Sequence, residues 1–203
     1  MGKSDIVSLS PKELGVGYKL SDNIVLGEFM SKGADGSEPT PVDMELIRKL
    51  QQMRDLLGAV HINSGYRTPK HNASQGGAPN SYHVHGQAAD VWFGAAAMRV
   101  PDELAAQCAQ YLGFKGIGLY TGWVHVDTRE APYYYRQPGN TAIAVPKGFP
   151  GYPAPKPQES QKQNNQEIIQ AKCKFTDPQP VWEAIETHAF PEELLQKWAD
   201  SYK

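Results

Sequence analysis

Ile117-Gly118-Leu119-Tyr120-Thr121-Gly122-Trp123-Val124-His125-Val126-Asp127 is the stretch that decides how this chain folds. Apolar and polar residues alternate on both sides of Gly122, the pattern of two antiparallel strands joined by a tight turn. Successive side chains of a strand point to opposite faces, so His125 and Asp127 share one face. Upstream, Ala88 to Phe93 reads as a buried strand and Ala59-Val60-His61-Ile62 as a shorter one. Two other segments carry the helical period. Thr40-Pro41-Val42-Asp43 has the features of a helix start: a threonine cap, proline at the first helical position and an acid in the first turn. Val42, Leu46, Leu50, Met53 and Leu57 follow at helical spacing, and Gly58 ends the run. Pro101 to Leu112 predicts a second helix, in which Cys108 takes a buried position between Leu104 and Leu112. Gly76 to Asn80, with two glycines and a proline, must be a loop. Helices and antiparallel strands in one domain imply an α+β fold, a small antiparallel sheet with flanking helices.

The chain has 203 residues, of which 40% are apolar and 21% charged, enough to build one ordinary domain and an appendage. Twenty-two acidic residues oppose twenty basic ones, so the net charge of −2 gives no general attraction to nucleic acid or to an anionic membrane. No stretch approaches the roughly 18 apolar residues of a membrane span. Met1 to Ser10 lacks an apolar core and a small-residue cleavage site, so the expectation is a protein made in the cytoplasm without a signal peptide. Cys108 and Cys173 are the only cysteines, which excludes a disulfide framework. Seven prolines between Pro132 and Pro157 mark a change of character. The expected division is a domain over 1–145, a proline-rich linker over 146–160 and a small helical tail over 161–203. Trp182, Trp198 and Tyr202 of that tail suit either the core of a small helical unit or an exposed recognition surface, as in a targeting or docking module.

Chemistry concentrates in two short polar segments, Ser81-Tyr82-His83-Val84-His85-Gly86-Gln87-Ala88-Ala89-Asp90 and Trp123 to Asp127. Imidazole nitrogens and a carboxylate oxygen suit zinc, and a catalytic zinc keeps three protein ligands with one open position. His83, Asp90 and His125 could supply that set, with a glycine turn bending the first two towards one point. The same spacing also suits hydrogen-bonded core residues. A structural zinc fits less well, because such sites have four ligands, often cysteines.

The ordered pattern Ser-x-His-x-x-Gly-x-Ala-x-Asp over Ser81–Asp90, followed by Trp-Val-His-Val-Asp over Trp123–Asp127, resembles the M15 family of zinc peptidases. These include D-Ala-D-Ala carboxypeptidases and phage endolysins, and share their metal fold with lysostaphin-like enzymes and Hedgehog proteins. Ile62-Asn63-Ser64-Gly65-Tyr66-Arg67-Thr68-Pro69 and Asn72 to Asn80 add to the likeness, which covers about residues 18–130. It implies Zn2+ held by His83, Asp90 and His125, a peptidoglycan stem peptide as substrate, and Arg67 offsetting negative charge on that substrate. Arg67 in a structural salt bridge is the alternative. Ser81, Tyr66, His85 and Tyr120 are further candidates to contact substrate, with Tyr66 and Tyr120 as donors to an oxyanion. Hydrolysis could be that of an endolysin-like L,D- or D,D-endopeptidase, or of a D,D-carboxypeptidase. The implied setting is a bacterial or phage protein acting at the cell wall.

One departure bears on mechanism. Relatives place a glutamate three residues before the last zinc histidine, or a histidine two before it, and these positions hold Gly122 and Trp123. Asp127 is the nearest replacement as the proton-accepting base, and it could equally orient His125 through a hydrogen bond. Loss of the base would also be compatible with a catalytically weak, zinc-stabilised module that binds the wall or a partner.

Overall fold

The computed structural model describes residues 5–95 and 98–152, and its first compact unit runs to Tyr152. The helical tail expected over 161–203 lies outside the described residues, as does His188. A small antiparallel sheet pairs β1 (Ile6–Leu9) with β2 (Thr40–Asp43). The larger sheet has the order β3 (Val60–Ser64), β4 (Ala88–Ala95), β7 (Trp123–Asp127), β6 (Gly116–Tyr120), β8 (Tyr133–Gln137), β9 (Ile143–Ala144). A short β5 (Met98–Arg99) returns against the end of β4. The helices are α1 (Pro11–Leu14), α2 (Leu26–Phe29), α3 (Met44–Leu57), α4 (Pro69–Ser74) and α5 (Asp102–Tyr111). None of the described helices is long and apolar enough to cross a membrane.

The hairpin read from the sequence is present, with Tyr120 paired to Trp123 and Gly116 to Asp127. Gly122 takes φ 91°, a left-handed conformation that favours glycine. Its N–H donates to Asp102 Oδ2 at 2.7 Å, tying the turn to the start of α5.

One expectation needs correction. The residues read as the first turn of a helix, Thr40 to Asp43, form β2, and the helix starts at Met44 with Asp43 as its cap, accepting from Glu45 N at 3.0 Å. A proline is tolerated in a strand that needs no N–H from it, and Pro41 pairs with Ser8 in a two-stranded ribbon. Thr40 and Val42 are buried, so tertiary packing outweighs a locally good start signal. Beside the small antiparallel sheet expected for the α+β fold, the larger sheet is mixed, because β8 runs parallel to β6. β7 returns the chain beside the start of β6, so a short hop to the free edge of β6 leaves β8 running the same way as β6. The strand itself, Tyr133-Tyr134-Tyr135-Arg136-Gln137, lies in the proline-dense stretch that sequence reading left unassigned. Within the stretch read as a linker, Phe149 is buried and Tyr152 packs against the same core.

The larger sheet has two unlike faces. Val91 and Phe93 of β4, Val124 and Val126 of β7, and Ile117 and Leu119 of β6 are buried in a core shared with α3 and α5. Leu46, Ile47, Leu50 and Met53 come from α3, and Ala105, Ala106, Cys108 and Ala109 from α5. Burying each large aliphatic side chain stabilises the fold by about 1.5–3 kcal/mol. The alternate residues of the same strands, Asp90, His125 and Asp127 among them, lie on the opposite face.

Candidate metal centre

Asp90 and His125 are direct cross-strand partners on β4 and β7. His83 reaches them from a single 3-10 turn, Tyr82–His85, closed by Gly86 at φ 71°. A Cβ on Gly86 would lie 2.1 Å from the Pro41 carbonyl oxygen, so the turn presses directly on β2. The misread segment therefore has a function: it backs the turn that carries His83.

The three donor atoms converge. His83 Nε2 lies 3.2 Å from Asp90 Oδ1 and 3.2 Å from His125 Nδ1, and His125 Nδ1 lies 3.0 Å from Asp90 Oδ1. Donors around a tetrahedral ion with bonds of about 2.0–2.1 Å are about 3.3 Å apart, so these separations are close to those of a metal's ligand set. All three residues are buried, and they form a candidate metal-binding group.

In its neutral form each imidazole is held in the tautomer that frees the converging nitrogen. His83 Nδ1–H donates to the Gly65 carbonyl at 2.7 Å, leaving Nε2 as acceptor. His125 Nε2–H donates to Asp127 Oδ2 at 3.0 Å, leaving Nδ1. The Gly65 carbonyl can come this close because Gly65 has no side chain, a Cβ there lying 2.7 Å from the Phe29 backbone.

The Ser64–Arg67 segment supports the same group. Arg67 Nη2 donates to Asp90 Oδ2, Arg67 Nε donates to Ser64 Oγ at 2.7 Å, and Arg67 N to the His83 carbonyl at 3.0 Å. Arg67 thus makes a buried ion pair and also borders the cleft above the cluster.

Asp127 lies behind His125, across the ring from the converging nitrogen. It accepts from Arg129 N at 3.1 Å, Arg129 Nε at 2.7 Å and Arg129 Nη2 at 2.5 Å, besides His125. Burial raises its pKa, but the hydrogen bonds from Arg129 and His125 outweigh this and hold it down at about 2. This geometry suits an anion that fixes His125, and it is poorly placed for a base acting in the cleft. Burial likewise works against charge on His125, yet the Asp127 and Asp90 carboxylates raise its pKa to about 9. For Asp90, burial is opposed by His125 and His83, and the net effect is a lowered pKa.

A cleft of about 680 Å3 opens over the cluster. Ser81 and Tyr120 line it together with Arg67, whereas Tyr66 and His85 are not among its lining residues. His85 is exposed at the end of its turn, and Tyr66 is anchored by its backbone N–H on the Phe29 carbonyl. One rim is the Gly76–Asn80 loop, held by buried Asn72, whose Nδ2 donates to the Ala78 carbonyl at 2.8 Å. His61 stacks on Trp92, and His71 lies in α4; neither lines the cleft.

Tyr135 and Arg129 are among the wall residues that escaped the sequence reading. Tyr135 reaches Tyr120, oxygen to oxygen 3.0 Å. Arg129 lies over the rings of Tyr82 and Tyr133, at 4.6 and 5.1 Å from their centroids. Burial raises the pKa of both Tyr120 and Tyr135. The available signal was the pair Gly116 and Gly118: a Cβ on Gly116 would lie 1.9 Å from Asp127 Oδ1, and one on Gly118 would lie 2.3 Å from the Tyr135 ring.

A family model described as Peptidase M15 matches residues 21–127, which takes in every residue of the converging group. The chain belongs to this peptidase family. Its family membership and the His83–Asp90–His125 group together identify a metallopeptidase in general terms. No curated protein matches the chain. Of the two positions where the resemblance leads one to look for a base, Gly122 is the turn glycine, and Trp123 stacks on Tyr120 with ring centroids 3.7 Å apart.

Proposed function

We propose that this M15 peptidase is zinc-dependent and hydrolyses a peptide bond in the stem peptides of bacterial peptidoglycan, acting at the cell wall. The observation that carries the zinc assignment is the convergence of two tautomer-fixed imidazole nitrogens and one carboxylate oxygen within 3.2 Å at the floor of an open cleft. Two imidazoles and a carboxylate suit zinc, and the cleft provides access to a fourth position. A bound ion supplies Lewis acidity that polarises a carbonyl and acidifies water.

The chain's own residues do the rest. Asp127, kept ionised by Arg129, holds the His125 Nε2 proton and so keeps Nδ1 directed at the centre. Gly65 does the same for His83 through its carbonyl. Arg67 fixes the second oxygen of Asp90 and keeps Nη1 without a partner among the described residues, available to a substrate oxygen. A stem peptide, with its carboxylates, is drawn to a wall whose charged side chains outside the metal group are Arg67 and Arg129.

A second reading has one observation in its favour. Among the described residues no carboxylate other than Asp90 lines the cleft, so no conventional base faces the substrate. This would suit a module that binds the wall or a partner and turns over weakly. Digestion of purified peptidoglycan by the full chain, followed by mass spectrometry, separates the two. One new terminus within the stem peptide, lost with chelator and restored by zinc, is the expected result. Wall binding with no new terminus would favour the binding module, and chelator-insensitive cleavage would remove zinc from the reaction.

A further inference from the structure

We infer that the hydroxyl pair of Tyr135 and Tyr120 is a hydrogen-bond donor of this cleft, beside Arg67, for the substrate oxygen that gains negative charge. The inference rests on the metallopeptidase reading and adds to it a residue, Tyr135, from a strand beyond the matched stretch of the family.

The placement of Tyr135 is the first argument. β8 runs beside β6 with Tyr135 opposite Gly118, and Gly118 is in turn opposite His125. A Cβ on Gly118 would lie 2.4 Å from Tyr135 Oη and 2.3 Å from Cζ. The hydroxyl end of the phenol therefore occupies the space a side chain at 118 would take, beside the strand position opposite His125. Any other residue at 118 would occupy that space.

The second argument counts protons. Tyr120 and Tyr135 each bring one hydroxyl proton and lie 3.0 Å apart. Their mutual bond uses one, which leaves the other to be donated outwards. Neutral at working pH, as tyrosines ordinarily are, the pair donates and does not abstract. Tyr120 is held by its stack on Trp123, and Tyr135 meets Tyr133 with ring centroids 5.3 Å apart, so neither ring is a loose rim residue.

The third argument is the composition of the wall. With Asp127 engaged behind His125 and Gly122 at the turn, the cleft lacks a facing carboxylate base but is rich in donors. A preorganised donor near a developing oxyanion is worth about 100- to 1,000-fold in turnover.

The test uses the full chain loaded with zinc. In Tyr135→Phe the expected result is a fall in kcat of about 100-fold with KM little changed. Affinity for a phosphinic analogue of the cleaved bond should fall by a similar factor, and zinc affinity measured by calorimetry should stay at the wild-type value. Gly118→Ala should reproduce the loss although both hydroxyls remain, because the new Cβ displaces the ring. Tyr120→Phe should cost less, and the double phenylalanine variant about as much as Tyr135→Phe alone, since Tyr120 acts through Tyr135. Equal phosphinate affinity and kcat in wild type and Tyr135→Phe would overturn the tyrosine assignment alone. Chelator-insensitive cleavage by the wild type would overturn the metallopeptidase reading, and this inference with it.

Discussion

Strand β7 shows two kinds of buried face. Val124 and Val126 are completely buried among the aliphatic side chains of the core. His125 and Asp127 on the other face are buried almost as fully, at 9% and 0% exposure, yet are polar. Burial therefore does not separate structure from function in this strand; the supply of partners does. The valines need only shape, whereas a buried carboxylate is tolerable only if its oxygens are satisfied, and Asp127 has Arg129 and His125 for that purpose. The polar face is in effect a chain of dependence running from Arg129 through Asp127 to His125 and the metal group.

The contrast can be broken from the apolar side first. Ile117→Ala empties a fully buried position of β6 and should lower stability by about 2–5 kcal/mol in denaturant unfolding. Zinc affinity of the folded fraction should stay unchanged; a matching loss of affinity would mean that the two faces are not independent. Asp127→Asn attacks the polar side. Removing this charge should weaken zinc binding by about 10- to 100-fold in calorimetry, because His125 loses the partner that fixes its tautomer. If zinc affinity held and only kcat at saturating zinc fell, Asp127 would be acting as a base after all.

The smallest effect is a pH slope that sharpens the same comparison. With the pKa of metal-free His125 raised to about 9, uptake of a metal must displace one proton from that ring at neutral pH. Affinity should therefore rise by about tenfold per pH unit below pH 9 and level off above it, since one proton is released per ion. A flat profile between pH 6 and 8 would show that His125 is already neutral before the metal arrives.

Much of the site was legible because it obeys local periodicities. His125 and Asp127 share a face by strand geometry, and the core face of α3 follows from Leu46, Leu50 and Met53 at helical spacing. The same logic failed at Thr40–Asp43, where a threonine, a proline and an aspartate satisfy the rules for a helix start but pair with β1, more than thirty residues earlier. It also gave no hint of β8, whose three tyrosines acquire meaning only beside the glycines of β6.

The amino-acid sequence alone indicated the α+β class and, through motifs that resemble the M15 family, the three metal-binding candidates. The periodicities of strand and helix, and the glycine turn between His83 and Asp90, are local features that backbone geometry fixes wherever the segment lies. Only the tertiary structure decided that Asp127 stands behind the histidine, that Arg67 grips Asp90, and that Tyr135 reaches across Gly118. Those facts depend on which strands become neighbours and in what register, a choice made by the packing of the whole core and not by any local run of residues.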